Sequence, residues 1–166
     1  MKQLLDSVRG GDKAAFEMLY ESMKKPLLTI ILRITKDLTL SEDILQELFL
    51  KIYFNPPENA IYSRAYLCRM ARNLAIDNVR KKKTETGLEE TEHQSWHPQE
   101  TLAESIDIEN ALLVLSDRDR DIVTLYINGG LKFREIADIM EIPLGTALWA
   151  YQKAIGQLRI ILGGVQ

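Results

Sequence analysis

Cysteine is nearly missing from this chain: its 166 residues contain one, Cys68. A single thiol excludes an internal disulfide framework and a multi-cysteine metal site, and it fits a reducing compartment. Long apolar runs are missing too. The greasiest stretch, Pro26–Leu32, falls far short of the ~20 residues that cross a bilayer, so no membrane insertion is expected. The opening MKQLLDSVRGGDK has no apolar core of the kind a secretory leader needs, and a cytoplasmic location is expected. Period-two alternation is almost absent, which argues against strands. There is no phosphate-cradling glycine loop and no nucleophile elbow. Repeats are absent as well.

What remains is an ordinary globular balance, 46% hydrophobic and 27% charged, which excludes a disordered or collagen-like chain. The length suits one domain or two small ones. The formal net charge of −3 conceals a segregated pattern. Residues 60–83 hold seven Lys and Arg against one acidic residue, whereas residues 84–110 hold eight Asp and Glu and no Lys or Arg. A concentrated basic block attracts polyanions whatever the overall charge. The plainer reading, a solvated helix end followed by a solvated linker, explains the charges equally well.

Helical spacing recurs throughout. A short helix is expected over Lys2–Val8, stopped at Gly10-Gly11. Asp12 is a good N-cap for a helix carrying Ala15, Phe16, Leu19 and Tyr20. Pro26 suits the first turn of a further helix, Pro26–Ile34. Thr39 with Glu42 forms a capping box, opening a helix with Ile44, Leu45, Leu48, Phe49 and Ile52 on one face. Asn55-Pro56-Pro57 ends it. Ser63 can cap a long helix running to about Lys83, with Leu67, Met70, Ala71, Leu74 and Val79 as its buried stripe. Arg69, Arg72, Asn73, Arg80 and Lys81 to Lys83 mostly fall off that stripe. Cys68, without a nearby histidine, reads as a small packing residue.

Thr84–Gln99 is polar and aperiodic and reads as a linker. Helical spacing then resumes over Ile106–Leu115. Ser116 caps the next helix with Asp119 at the capping-box position, and Gly129-Gly130 ends it. A helix over Phe133–Met140, a break at Glu141-Ile142-Pro143, and a last helix over Leu144–Leu162 complete a helix-turn-helix. Ala147, Tyr151, Ala154 and Leu158 share the inward face of the last helix. Leu148, Trp149, Gln152, Lys153 and Gly156 look outward. In a DNA-reading unit that outward face enters the major groove. Gln152 would then suit adenine, Lys153 guanine or a phosphate, and Leu148 or Trp149 a thymine methyl. An ordinary helical hairpin accounts for the spacing as well.

Several segments together resemble the extracytoplasmic-function (ECF) group of bacterial sigma factors, the promoter-recognition subunits of RNA polymerase. Gly11-Asp12-Lys13-Ala14-Ala15-Phe16-Glu17 is similar to the family's first-helix signature. Ser41 to Tyr53 resembles its polymerase-binding helix, and Tyr66 to Arg80 its promoter-melting helix. Leu115-Ser116 through Arg120, Phe133-Arg134-Glu135-Ile136-Ala137, and Pro143-x-Gly145-Thr146 with Ala154 and Leu158-Arg159 resemble its C-terminal domain. The order and spacing of these segments carry the resemblance over nearly the whole chain.

The resemblance implies an all-α protein of two small helical domains joined by an acidic linker, with the helix-turn-helix in the second. It implies residues 1–83 for core binding and minus-ten recognition and melting, residues 84–104 as the linker, and residues 105–166 for minus-thirty-five recognition. The implied partners are core RNA polymerase, through its β′ and β subunits, promoter DNA and an anti-sigma factor. Asp43, Gln46, Glu47 and Leu50 are the candidates for core binding, where an acidic-polar stripe suits a basic partner helix. For the minus-ten element, Arg64, Arg72, Arg80, Lys81, Lys82 and Lys83 would follow phosphates. Asn73 and Asp77, four residues apart, would read an extruded base. Tyr62 and Tyr66 would offer stacking surfaces. For the minus-thirty-five element the candidates are Thr146, Leu148, Trp149, Gln152 and Lys153. No catalytic residue, metal or cofactor is implied.

The chain departs from the family where Leu148, Trp149 and Ala150 stand at positions usually held by Arg, Lys or Ser. DNA contact there would rest on methyl and shape readout, or the face would dock on a protein such as an anti-sigma factor. Ser63 and Tyr66 stand where Phe and Trp are common, which implies a different base preference. Two rival classes compete with this reading. His93 and His97, with Glu92 and Glu100, mimic a metal site, but a polar linker supplies no preformed scaffold. A conventional dimeric helix-turn-helix regulator explains the C-terminal unit and leaves the basic helix without a task.

Overall fold

The computed structural model describes residues 2–55, 63–86, 108 and 110–163. All regular structure among them is helical. The chain divides into two compact units, Met1–Gln94 and Ser95–Gln166.

In the first unit, α1 (Lys2–Arg9) and α2 (Lys13–Thr35) are joined through Gly11, whose φ of 84° is open to glycine. Asp12 caps α2, its Oδ1 accepting from the N–H groups of Ala14 (2.9 Å) and Ala15 (3.2 Å). No helix starts at Pro26. Instead α2 runs straight through it. The proline takes a donor away from the Ser22 carbonyl, a cost of about 3 kcal/mol in a helix interior. Against that stands an unbroken inward stripe of Leu19, Met23, Leu27, Ile30 and Ile31, all buried, each worth about 1.5–3 kcal/mol when removed from water. The stripe wins.

Lys36 closes α2 in the left-handed conformation (φ 57°) and leaves Asp37 extended. Asp37, not Thr39, is therefore the N-cap of α3 (Leu38–Phe54), accepting from the Leu40 N–H at 3.1 Å. Thr39 lies inside the first turn. The shift follows from the tight junction. The buried Ser41 hydroxyl donates to the Asp37 carbonyl (2.6 Å) and lies 2.7 Å from the Thr35 hydroxyl, which fixes the register. Ile44, Leu45, Leu48, Phe49 and Ile52 of α3 are buried as their spacing predicts, and Asn55 is the C-cap. Ser63 caps α4 (Arg64–Thr86) by accepting from the Tyr66 N–H at 3.2 Å. The helix continues three residues past Lys83, so Thr84–Thr86 belong to it rather than to the linker. The rest of the expected linker lies outside the described residues.

α4 buries Leu67, Cys68, Ala71 and Ala75, while Met70, Leu74 and Val79 are half-buried. Three of the buried four are small, which lets α4 approach the central α2 closely. α2 packs against α1, α3 and α4. Cys68 is buried in this packing.

In the second unit, residues 110–113 are helical and lead to Ser116, which caps α5 (Asp117–Ile127) through the Asp119 N–H at 3.2 Å. Of the expected Ile106–Leu115 helix, Ile108 is also helical, Val114 and Leu115 lie past the helical residues, and the others are outside the described ones. Two glycines end α5 for separate reasons. A Cβ on Gly129 would meet the Leu125 carbonyl oxygen at 2.4 Å, and Gly130 adopts φ 63°. α6 spans Phe133–Met140, opened by the Glu135 carboxylate accepting from the Lys132 N–H (2.8 Å) and closed by Glu141 at φ 54°. After Pro143, α7 spans Leu144–Gly163. Ala147, Ala150 and Ala154 are its fully inward residues. Tyr151 and Leu158 pack at the edge of a core of Leu112, Leu115, Val123 and Ala154.

Candidate nucleic-acid and protein interfaces

α3 has two unlike faces. Its apolar face is buried, and its outer face displays Asp43, Gln46 and Leu50, with Glu47 half-buried. These four residues, with Lys51, Phe54 and Asn55, line a shallow groove of about 360 Å³. Lys51 pairs with Glu47 at 2.7 Å, one helical turn away. Asp43 is an exposed carboxylate lining the groove together with the exposed apolar Leu50 and Phe54. Sequence reasoning missed Phe54, although its i, i+4 spacing from Leu50 was readable. Phe54 is stiffly backed. Tyr53 meets Phe54 edge-on at 5.2 Å and Phe16 at 5.0 Å, and Phe16 meets Phe49 at 6.1 Å.

Along α4 the structure brings Asn73, Asp77 and Arg80 to one exposed face, at i, i+4 and i+7. Lys81, Lys82 and Lys83 follow them, also exposed. Arg64, Tyr66 and Arg72 are half-buried nearer the start of the helix. The Arg64 Nε is buried without a hydrogen-bond partner. Asn78 turns back on its own helix, donating to the Leu74 carbonyl at 2.9 Å. Lys82 reaches Asp37 at 3.4 Å. The Leu40 N–H, and then Lys82, hold the Asp37 carboxyl below its ordinary value. Tyr62 lies outside the described residues.

On α7, Leu148, Trp149, Gln152 and Lys153 are exposed, and Thr146 is half-buried in the first turn. The structure gives two residues, Asp119 and Arg120, partners that spacing did not show. The Asp119 carboxylate, expected at a capping box, instead accepts from the Lys153 ammonium at 3.0 Å. That ammonium also lies 5.5 Å from the centre of the Trp149 ring. Arg120 is buried and gathers the end of the preceding helical turn. It donates to the carbonyls of Leu112 (2.9 Å), Leu113 (3.3 Å) and Leu115 (2.9 Å) and to the Asp117 carboxylate (2.8 Å). Tyr126, Phe133 and Tyr151 form an aromatic trio linking α5, α6 and α7, with centroids 4.7–5.1 Å apart. Burial, and then the neighbouring Tyr126, push the Tyr151 phenol up.

Among the described residues, no group of three or more His, Cys, Asp or Glu could hold a metal ion, and no helix is long and apolar enough to cross a membrane. His93 and His97 lie outside them.

Two family models match the chain in order. Sigma-70 region 2 matches residues 19–85, and Sigma-70, region 4 matches residues 105–158. Among curated relatives, the ECF RNA polymerase sigma factor SigW of Bacillus subtilis (strain 168) is 29% identical over 164 residues, covering 88% of both chains. The ECF RNA polymerase sigma factor SigK of Mycobacterium tuberculosis (strain H37Rv) is 28% identical over 168 residues, covering 94% of this chain and 90% of that one. Among solved structures, the sigma factor RpoE of Bartonella quintana, in complex with the anti-sigma factor NepR, superposes with a TM-score of 0.73 at 22% identity. It covers 91% of this chain and 98% of its own. CnrH, in complex with the cytosolic domain of CnrY, superposes with a TM-score of 0.67 at 16% identity, over 99% and 98%. At these identities the structural likeness is one of fold.

Proposed function

Because the chain belongs to the ECF RNA polymerase sigma factors, we propose that its two units divide the work of promoter recognition, the first binding core polymerase and opening the minus-ten element and the second reading the minus-thirty-five element. The observation that carries this division is the face of α4. Asn73 and Asp77 stand one turn apart in solvent, followed by Arg80 and three lysines. Polar groups that pair with a base edge, set beside cations that follow phosphates, suit a displaced single strand. Opening then needs no covalent step. The protein binds the single strand better than the duplex, and that difference drives the strands apart.

The groove on α3 is the docking site for core polymerase in this reading. Its exposed Asp43 selects a basic partner, and Leu50 and Phe54 supply the apolar anchor. α7 enters the major groove at the minus-thirty-five element. The chemistry of RNA synthesis belongs to the polymerase, so the chain is not itself an enzyme. It works where the polymerase is, in the cytoplasm. Two solved relatives of this fold are held by other proteins, one of them named an anti-sigma factor, and this chain is proposed to be controlled in the same way.

The test is transcription in vitro with purified core polymerase on a library of genomic promoter fragments. The chain should direct initiation at a discrete set sharing two motifs. Asn73→Ala with Asp77→Ala should lose most initiation on duplex templates while retaining core binding. Equal loss on templates pre-melted across the start site would contradict a role in strand opening.

A further inference from the structure

We propose that Lys153 is a positioning residue, not a DNA-contacting one: anchored on the Asp119 carboxylate, it holds the Trp149 indole as the group that reads a thymine methyl. The inference rests on the reading of α7 as the promoter-facing helix and deepens it.

Asp119 stands in the first turn of α5, and its side chain is only 6% exposed. A carboxylate that dry requires a counter-charge, and the Lys153 ammonium supplies it from α7 at 3.0 Å. The same ammonium lies 5.5 Å from the Trp149 ring centre, within cation–π range. One cation thus joins a fixed, buried anion to an indole that is 63% exposed.

Two consequences follow. First, Lys153 is poorly placed to serve a phosphate. Swinging away would strand a buried charge on Asp119 and release the indole, so the ammonium gains little by moving. Second, Trp149 is fixed where a surface tryptophan would otherwise sample several rotamers. An indole has no acceptor and one donor, so its apolar edge, beside the partly exposed Leu148, matches the C5-methyl of thymine rather than a polar base edge. α7 holds only one other Lys or Arg, Arg159. Its reading therefore leans on shape and methyl contact.

The test uses the full chain with core polymerase and a promoter fragment selected by that holoenzyme from a random-sequence pool. Each thymine of the minus-thirty-five element is replaced singly by deoxyuridine, which removes only the methyl. The variants are Trp149→Ala and the double variant Asp119→Asn/Lys153→Met. The double variant removes both charges and so avoids stranding a buried ion. A parallel measurement follows acrylamide quenching of Trp149 in the free chain with Trp96→Phe, which leaves one tryptophan.

For the wild type, one thymine should show about fourfold weaker binding without its methyl, the ratio a single buried methylene supports. Trp149→Ala should erase that ratio. The double variant should reduce it toward one, raise quenching of Trp149, and leave the salt dependence of binding unchanged. A fall of about one in the salt slope with the methyl ratio intact would make Lys153 a phosphate contact and overturn the proposal. Unchanged quenching, or a methyl ratio indifferent to Trp149→Ala, would overturn it as well. If the holoenzyme selects no promoter, the reading of α7 fails. Quenching in the free chain still decides whether Lys153 holds the indole.

Discussion

Both units are packed on large aliphatic side chains, among them Ile122, Leu125 and Ile136 in the second, but they differ in the polar groups they bury beside them. The first is held by large aliphatic side chains: Leu5, Leu19, Met23, Leu27, Ile31, Ile44, Leu48, Ile52 and Leu67 are all fully enclosed. Its one buried polar residue among those described is Ser41. The second buries Asp119, Arg120 and Thr124, and its last helix, α7, turns three alanines inward. The contrast separates where each unit keeps its chemistry. In the first, apolar volume gives rigidity and the charges proposed to meet partners sit outside, on α3 and α4. In the second, a buried carboxylate, Asp119, pairs with Lys153 on the helix that displays Trp149. A substitution on the surface of the first unit should change binding and spare folding, whereas a charge lost in the second should disturb both.

The largest expected effect tests that contrast head-on. Arg120→Met strips the carbonyls of Leu112, Leu113 and Leu115 of their donor and should destabilise the second unit by about 4 kcal/mol. Hydrogen exchange should show protection lost in α5 to α7 and retained in α2 and α3. Leu48→Ala, at a fully enclosed site, should cost about 3 kcal/mol in the first unit alone. If either substitution loosened both units equally, the separation would be wrong.

Smaller effects sharpen it. Asp43→Lys should weaken core polymerase binding by about tenfold, chiefly in the association rate and most at low salt, with unfolding by urea unchanged. Arg80→Ala should lower the salt slope of promoter binding by about one. The least effect belongs to Asp37. Asp37→Ala should cost about 1 kcal/mol as a lost N-cap, and Asp37→Asn should keep the cap and lose its pH dependence. The folded carboxyl lies below its ordinary value of 3.8, so its contribution is present above that value and disappears as pH falls through the folded value. The stability gap between wild type and Asp37→Asn should therefore stay constant above that acid range in urea titrations and narrow as pH falls through it.

Much of this fold is written in local signals. Asp12, Ser63 and Ser116 cap the helices that follow them, as local sequence predicts, because a cap bond depends on a few adjacent residues. The inward stripe of α3 is likewise a matter of spacing. What local reading misses depends on partners far along the chain. Pro26 reads as a helix start until the buried stripe on both sides of it is weighed. Thr39 looks like a better cap than Asp37 until Ser41 locks onto the Asp37 carbonyl. Asp119 looks like a capping-box acid, yet its carboxylate belongs to Lys153, 34 positions away. The candidates on α3 and α4 were legible through the family resemblance, and those on α7 through that resemblance and the spacing that turns Leu148, Trp149, Gln152 and Lys153 outward. The link from Asp119 through Lys153 to Trp149 was not, since no spacing rule joins α5 to α7.

The most direct measurement is whether purified chain, added to core RNA polymerase lacking any other sigma factor, converts it to initiation at defined start sites on duplex DNA. The account predicts a stable one-to-one complex and transcripts beginning at a fixed distance downstream of two recurring motifs. A chain that neither joins the polymerase nor changes where it starts would contradict it.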